Sequence, residues 1–214
     1  VSFTVPTGNF GDIYAGDIAR RMGLPIDRLV IATNQNDILD RALRGGDYRT
    51  NGVKPSISPS MDIQVSSNFE RALFDAYGRD ASAVTALMAE MKAGGFHISQ
   101  GALESLRGGF ASGRCSEDET LATIERLYRT TGELLCPHSA VGVKVAEEHL
   151  GASPMITLAT AHPAKFPDAV ERATGKRPAL PPHMADLFHK PERMTRVPND
   201  LAAIEAIVRD RVAR

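Results

Sequence analysis

Cysteine and tryptophan are scarce in this 214-residue chain, which has no tryptophan and only the cysteines Cys115 and Cys136. Two cysteines are too few for a disulfide framework, and their spacing is not the paired C-x-x-C pattern of a zinc or redox site. The histidines also lack the spacing of metal ligands. These absences favour a protein of the reducing cytoplasm that binds no metal.

Long apolar runs and an excess of charge of one sign are missing too. No stretch approaches the ~20 apolar residues that span a bilayer, and no signal-peptide pattern is present. Lysine and arginine number 25 and aspartate and glutamate 26, and no basic run stands out that could neutralise a row of phosphates. The sequence therefore indicates neither a membrane protein nor a nucleic-acid-binding protein.

The chain does have enough hydrophobic residues, 43%, to bury the core of one large domain or two small ones. Its first part alternates strand and helix, with strands predicted at Val1–Val5 and Leu29–Thr33 and helices over about 11–22 and 37–43. Such units are typical of an α/β fold. A strand that starts on the first residue is unusual for a natural chain, so we expect a fragment of a longer protein.

The stretch Arg49–Ile63 contains one glycine, two prolines and polar turn formers, and is predicted to be a crossing loop. Residues 64–131 are predicted to be mostly helical. The capping-box patterns Ser67-x-x-Glu70 and Ser116-x-x-Glu119 mark two helix starts there, and apolar residues recur on helical faces.

The strand pattern returns at Met155–Ala161, and an amphipathic pattern predicts a closing helix over 200–214. We therefore expect an α/β fold with a mostly helical inserted segment. Its predicted parts are an α/β part (1–53), the mostly helical segment (54–132), a return to the sheet domain (133–190) and a C-terminal helix (191–214).

The most informative string lies between the first strand and the first helix and reads Pro6-Thr7-Gly8-Asn9-Phe10-Gly11-Asp12. Its glycines allow a sharp turn and a close approach of the backbone to a ligand, while the N–H groups of the coming helix point at that ligand. The string therefore predicts an anion cradle suited to a phosphate monoester. It lacks the Gly-Lys-Ser/Thr of a Walker loop and the third glycine of a dinucleotide fingerprint, and a plain structural turn is the alternative.

Three segments in order resemble the threonine synthases. Thr7–Gly16 resembles the cofactor-phosphate loop of that family, and the strings Pro59–Arg71 and Ala159–Phe166 match it further along the chain. Together the matches run from Val1 to about Ala169. The resemblance implies the C-terminal portion of a threonine synthase and the tryptophan-synthase-β-like fold, called type II among pyridoxal-phosphate enzymes.

Enzymes of this family are pyridoxal-phosphate-dependent lyases that convert O-phospho-L-homoserine and water into L-threonine and phosphate. The resemblance implies that Gly8, Asn9, Phe10 and Gly11 hold the cofactor phosphate. It also implies that Thr160, at the carboxyl end of a predicted strand, meets the pyridine nitrogen. Thr157 is the alternative, but a β-branched core residue explains that position better.

The lysine that binds the cofactor covalently lies, in this family, on a segment that precedes the phosphate loop, and nothing like it is present here. Lys165 stands in a matched string, yet a structural or salt-bridging lysine explains it better. His162 is interpreted as a hydrogen-bonded structural residue before a proline. Asn68 and Arg71 are interpreted as part of a helix start rather than as contacts of the substrate phosphate.

We therefore expect no catalytic residue in this chain and no activity of the chain alone. Its expected partners are the N-terminal half of the same enzyme and, through apolar surface left exposed, other copies of itself. Two alternatives stay open: a non-catalytic module that binds a phosphorylated metabolite, and another type II enzyme such as a dehydratase or cysteine synthase. The phosphate loops of the latter are typically richer in glycine, so Asn9-Phe10 argues against them.

Overall fold

A computed structural model describes residues 1–213 of the chain; Arg214, the last residue of the predicted closing helix, lies outside the described residues. The chain divides into two compact units, Val1–Ala179 and Leu180–Arg214. The finer division into four parts stays a prediction. No helix among the described residues is long and apolar enough to cross a membrane.

Four parallel strands form the central sheet of the first unit, and two short antiparallel strands form a separate ribbon. In chain order the strands are β1 (Ser2–Pro6), β2 (Arg28–Thr33), β3 (Asp47–Arg49), β4 (Gly95–His97), β5 (Phe110–Arg114) and β6 (Met155–Thr157). The order across the sheet is β5-β2-β1-β6, and β3 pairs with β4. Thr4 of β1 lies opposite Val30 on one side and Thr157 on the other.

Helices connect the strands, as parallel pairing requires. They are α1 (Gly11–Arg21), α2 (Ile38–Gly45), α3 (Phe69–Ala76), α4 (Ala81–Lys92), α5 (Gln100–Gly109), α6 (Glu117–Thr131), α7 (Pro137–Glu147), α8 (Pro167–Thr174) and, in the second unit, α9 (Leu201–Val212). The predicted α/β fold is thereby confirmed, as are the early strand-helix-strand unit and the crossing loop. In that loop, Pro59–Met61 forms a single turn of 3₁₀ helix.

The helical segment predicted at 54–132 also contains two strands that the sequence pattern did not indicate. One of them, β5, pairs with β2 at the edge of the main sheet. Its small residues suit close packing: a Cβ on Gly113 would lie 2.7 Å from Val145 Cγ1 of α7. Because this strand is specified by tertiary packing and its small residues have little β propensity, its sequence does not indicate a strand.

Two further details differ from expectation. The capping box predicted at Ser67 is not formed, since α3 begins after Asn68 and has no side-chain cap, whereas the box at Ser116 is present. The last sheet strand ends at Thr157 rather than Ala161, although the Leu158 N–H still donates to Thr4 O at 3.0 Å.

Strand β2 is buried on both faces of the sheet. Leu29 and Ile31 join the core beneath α1 and α2, while Val30 and Ala32 pack against Val141 and Val145 of α7. This double coverage explains the unbroken apolar run of β2. Because β1 and β6 pair in parallel, their carboxyl ends lie side by side, at the edge where open α/β sheets bind ligands.

Phe10 links this core to the loop after β1, and truncation of its side chain should lower the stability of the fold. The residue has φ of 63°, in the left-handed region, and its buried ring packs edge-on against Phe69 and Phe110 at centroid distances of 5.2 and 5.3 Å. We predict that Phe10→Ala lowers the free energy of unfolding by about 3–5 kcal/mol, measured by urea denaturation.

Phe188→Ala is the matched control, because this phenylalanine is 80% exposed. Its truncation should change the free energy of unfolding by no more than about 0.5 kcal/mol. Similar losses in the two variants would show that the Phe10 ring does not anchor the loop.

Candidate functional site

The loop from Thr7 to Phe10 joins the end of β1 to the start of α1, and it is anchored at both ends. The Thr7 N–H donates to Ala32 O at 2.8 Å, and Thr7 Oγ1 donates to Val5 O at 2.5 Å. At the other end, the buried Phe10 ring occupies the core. The backbone conformation of the loop is therefore fixed by strand pairing and by one aromatic anchor.

The first turn of α1 has unused hydrogen-bond donors. Phe10 stands at the N-cap position, where its side chain accepts no hydrogen bond. Among residues 1–213, none accepts a hydrogen bond from the backbone N–H groups of residues 8–13; the Tyr14 N–H is the first to find one, Phe10 O at 3.2 Å. Residues 5–13 surround a cavity of about 190 Å³. Free N–H groups at the positive end of a helix dipole can hold an anion there.

The segment before α3 holds the loop from outside. Ser66 Oγ donates to Gly8 O at 2.8 Å, while the backbone N–H and Nδ2 of Asn68 donate to Asn9 O at 3.1 and 2.9 Å. These bonds fix the orientation of two peptide units of the loop. Asn68, which we had interpreted as part of a helix start, thus has a second role in shaping the loop.

Gly8 is required by close approach and not by a left-handed φ. A Cβ on Gly8 would lie 2.7 Å from Ser60 O of the crossing loop, closer than real Cβ atoms come to backbone. The sharp turn that we had attributed to the glycines is made instead by Phe10. A Cβ on Gly11 would meet only Asn68 Nδ2, at an ordinary 3.7 Å.

A polar network fastens the crossing loop to the carboxyl end of β2. The Asp62 carboxylate accepts hydrogen bonds from Asn34 Nδ2 at 2.8 Å and Asn36 Nδ2 at 2.9 Å. It also accepts from Ser56, through the N–H at 2.7 Å and the hydroxyl at 2.6 Å. Charge-assisted bonds of this kind are stronger than neutral ones, so the network sets where the crossing loop can lie.

A second cavity of about 190 Å³ lies between the Thr7–Phe10 loop and the segment after β6. Its walls include Gly8, Asp12, Ser60, His138, Thr160 and Lys165. Thr160 is exposed and lies in a loop three residues beyond Thr157, not at the strand end as predicted. Thr157, the alternative considered for this role, packs against α7, since a Cβ on Gly142 would lie 2.7 Å from its Cγ2.

The residues after Thr160 in the string Ala159–Phe166 make contacts that stabilise the local structure. His162 Nδ1 accepts from the Ala164 N–H at 3.1 Å and caps the 3₁₀ turn Pro163–Lys165, as its interpretation before a proline predicted. Lys165 is exposed, and its Nζ lies 5.6 Å from the centre of the Phe166 ring.

His138 is the residue of this region that sequence reasoning missed. It was considered only as a metal ligand, and no spacing pattern marks it. Its Nε2 accepts from the Ser60 N–H at 3.2 Å, and its ring centroid lies 4.6 Å from that of Phe166. Burial, with a smaller effect of the Lys165 charge, lowers the pKa of His138 to about 4. The imidazole is therefore neutral at pH 7.

Comparisons with known proteins all point to the same family. Residues 139–208 match the family model described as threonine synthase, C-terminal. The threonine synthase of Pseudomonas aeruginosa is 52% identical over 97% of this chain, and that of Corynebacterium glutamicum is 44% identical over all of it. These alignments cover 45% and 46% of the two relatives, so the chain spans about half the length of the curated relatives it matches.

Solved structures agree. The PLP-bound threonine synthase from Brucella melitensis superposes on 98% of this chain with a TM-score of 0.92 and 57% identity, and the chain covers 46% of it. The yeast threonine synthase superposes with a TM-score of 0.86 and 37% identity, over 47% of its own length. On sequence, fold and family model alike, this chain matches the C-terminal part of threonine synthases.

Proposed function

We propose that this chain supplies the cofactor-phosphate side of a threonine synthase, a pyridoxal-phosphate lyase that converts O-phospho-L-homoserine and water into L-threonine and phosphate. The supporting observation is that the N–H groups of residues 8–13 have no hydrogen-bond partner among residues 1–213, beside the cavity lined by Gly8 and Thr160. The relative from Brucella melitensis, which has the same fold, was crystallised with PLP bound.

The residues present suit the phosphate group of such a cofactor. The donors are backbone N–H groups, whose direction depends on the local fold, and the Asn9 side chain is exposed beside them. Asp12 borders both cavities, and its carboxylate would repel an anion. Because Asp12 is exposed, solvent and salt weaken that repulsion. The backbone donors and the helix dipole therefore dominate.

Pyridoxal phosphate, when bound, supplies the electron sink that the elimination of phosphate requires. In this proposal, Gly8, Asn9, Phe10 and Gly11 hold its phosphate through their N–H groups, and the Thr160 hydroxyl donates to its pyridine nitrogen. The side chain of Phe10 takes no part, because it is buried in the core. The lysine that binds the cofactor covalently is assigned to the part of the relatives that this chain does not span.

The proposal also includes a partner, the complementing half of the enzyme, and a compartment, the cytoplasm. Two apolar side chains are exposed: Ile156 on the edge strand β6, at 42%, and Leu150, at 66%. We propose that the complementing half of the enzyme covers such residues. Without it, the chain is proposed to self-associate. Cys115 and Cys136 are both free and buried thiols, which suits the reducing cytoplasm.

The first prediction of the proposed function concerns the phosphate group of the cofactor. The purified chain should bind pyridoxal phosphate at least tenfold more tightly than pyridoxal, because hydrogen bonds to a charged group contribute about 1.5–3 kcal/mol. Titration calorimetry of the two ligands, with inorganic phosphate as competitor, measures this ratio. Equal affinities would show that the cradle does not recognise phosphate.

The second prediction concerns Gly8. Gly8→Ala should weaken the binding of inorganic phosphate at least tenfold, because the new Cβ displaces the Ser60 carbonyl that packs against the loop. Gly101→Ala is the matched control: this helical glycine has open space around it, and the exchange should leave phosphate affinity unchanged. It should also stabilise the fold by about 0.5–1 kcal/mol. Thr160→Val should not alter phosphate affinity. If Gly8→Ala binds phosphate normally, the contact with Ser60 does not shape the cradle.

The third prediction concerns covalent attachment. After incubation with pyridoxal phosphate and reduction with borohydride, peptide mapping should find no single lysine labelled stoichiometrically. Lys165, the lysine that borders the cavity, is exposed. Full labelling of Lys165 would overturn the assignment of the catalytic lysine to the other part of the enzyme.

A further inference from the structure

We propose that His138 is a positioning residue of the cofactor site, which holds Ser60 against Gly8 and thereby sets the arrangement of N–H donors in the phosphate cradle. The inference deepens the proposed function and rests on it for its meaning in catalysis. The contacts that carry it are those of the described residues of α7, the crossing loop and the phosphate loop.

Ser60 lies between α7 and the phosphate loop and contacts both. Its N–H donates to His138 Nε2 at 3.2 Å. Its carbonyl oxygen lies so close to Gly8 that a Cβ there would be only 2.7 Å away. A single residue therefore separates the imidazole from the cradle, and a displacement of Ser60 changes the space available to Gly8.

His138 is itself held firmly. It lies in the first turn of α7, where Cys136 Sγ accepts from the Ser139 N–H at 3.4 Å. The same helix packs closely on the sheet, since a Cβ on Gly142 would lie 3.0 Å from Pro6 Cγ. Pro6 ends β1 immediately before the phosphate loop. The imidazole thus has a fixed position relative to the strand from which the loop starts.

The contact with Ser60 requires one protonation state. A ring nitrogen that accepts a hydrogen bond carries no proton, so the proton of the neutral ring resides on Nδ1. Nδ1 is buried and has no hydrogen-bond partner among the described residues. The charged groups that act on the ring are Lys165, which lowers its pKa, and Asp62, which raises it. Protonation of Nε2 would place an N–H against the Ser60 N–H and break the contact.

Two variants at position 138 distinguish the effect of the hydrogen-bond acceptor from the effect of the ring shape. His138→Phe keeps an aromatic ring beside Phe166 but removes the acceptor, whereas His138→Gln supplies an oxygen acceptor. His149→Phe is the matched control, because His149 contacts the Ser112 carbonyl at 3.2 Å and borders neither of the two site cavities.

The experiment uses the ¹⁵N-labelled chain and inorganic phosphate. In His138→Phe, we expect shifted amide resonances at Gly8–Gly11, at least tenfold faster hydrogen exchange of the Ser60 amide and at least tenfold weaker phosphate binding. His138→Gln should recover the exchange rate and the affinity to within about threefold, and His149→Phe should match the wild type. In the wild type, the amide resonances of Gly8–Gly11 should shift as His138 becomes protonated in acid. The ¹⁵N resonances of the His138 ring report that protonation.

Unchanged Gly8–Gly11 resonances and Ser60 exchange in folded His138→Phe would overturn the proposal. If that variant does not fold, wild-type loop resonances that stay fixed while His138 becomes protonated overturn it instead. A wild-type chain that binds no phosphate contradicts the proposed function, while the loop resonances and the Ser60 exchange still decide the role of His138.

Discussion

The contact between the Ser60 carbonyl and Gly8 is the constraint on which the candidate site depends. No side chain can stand at position 8 while the crossing loop keeps its place, and the Asp62 network fastens that loop to the end of β2. On the other side of the loop, Phe10 adopts a left-handed conformation because its ring is held in the core. The N–H groups of the first turn of α1, which have no acceptor within the described part of the chain, are therefore held in position by tertiary contacts, and the local sequence allows that arrangement without imposing it.

Much of the fold could be predicted from local patterns, because short apolar runs mark β1 and β2 and the apolar face of α6 is its more buried face. The proposed cradle rests on two glycines between a strand and a helix, and the proposed role of Thr160 rests on family resemblance; both stay predictions. Strand β5 was missed because its small residues are selected by the approach of α7 and not by strand propensity. The left-handed Phe10 and the buried His138 were missed because their roles depend on neighbours distant in sequence, which no spacing rule encodes.

The division of labour within the proposed enzyme follows from the kind of group that each task needs. Anion binding relies on backbone donors, which are present wherever the loop and α1 keep their geometry, so a chain spanning about half the length of its relatives can retain it. Covalent binding of the cofactor and proton transfer need an amine in a specific place. Lys165 is exposed near the cavity and lacks the burial that activates a lysine, which agrees with a catalytic lysine elsewhere in the enzyme.

The central claim is that the loop from Gly8 to Gly11 holds the phosphate of pyridoxal phosphate with its backbone. A crystal structure of the chain grown with excess pyridoxal phosphate tests this most directly. The account predicts the phosphate within hydrogen-bonding distance of the N–H groups of these residues, and the pyridine nitrogen facing Thr160. A cofactor bound elsewhere, or a cradle ordered at the start of α1 yet empty at saturating ligand, would contradict it.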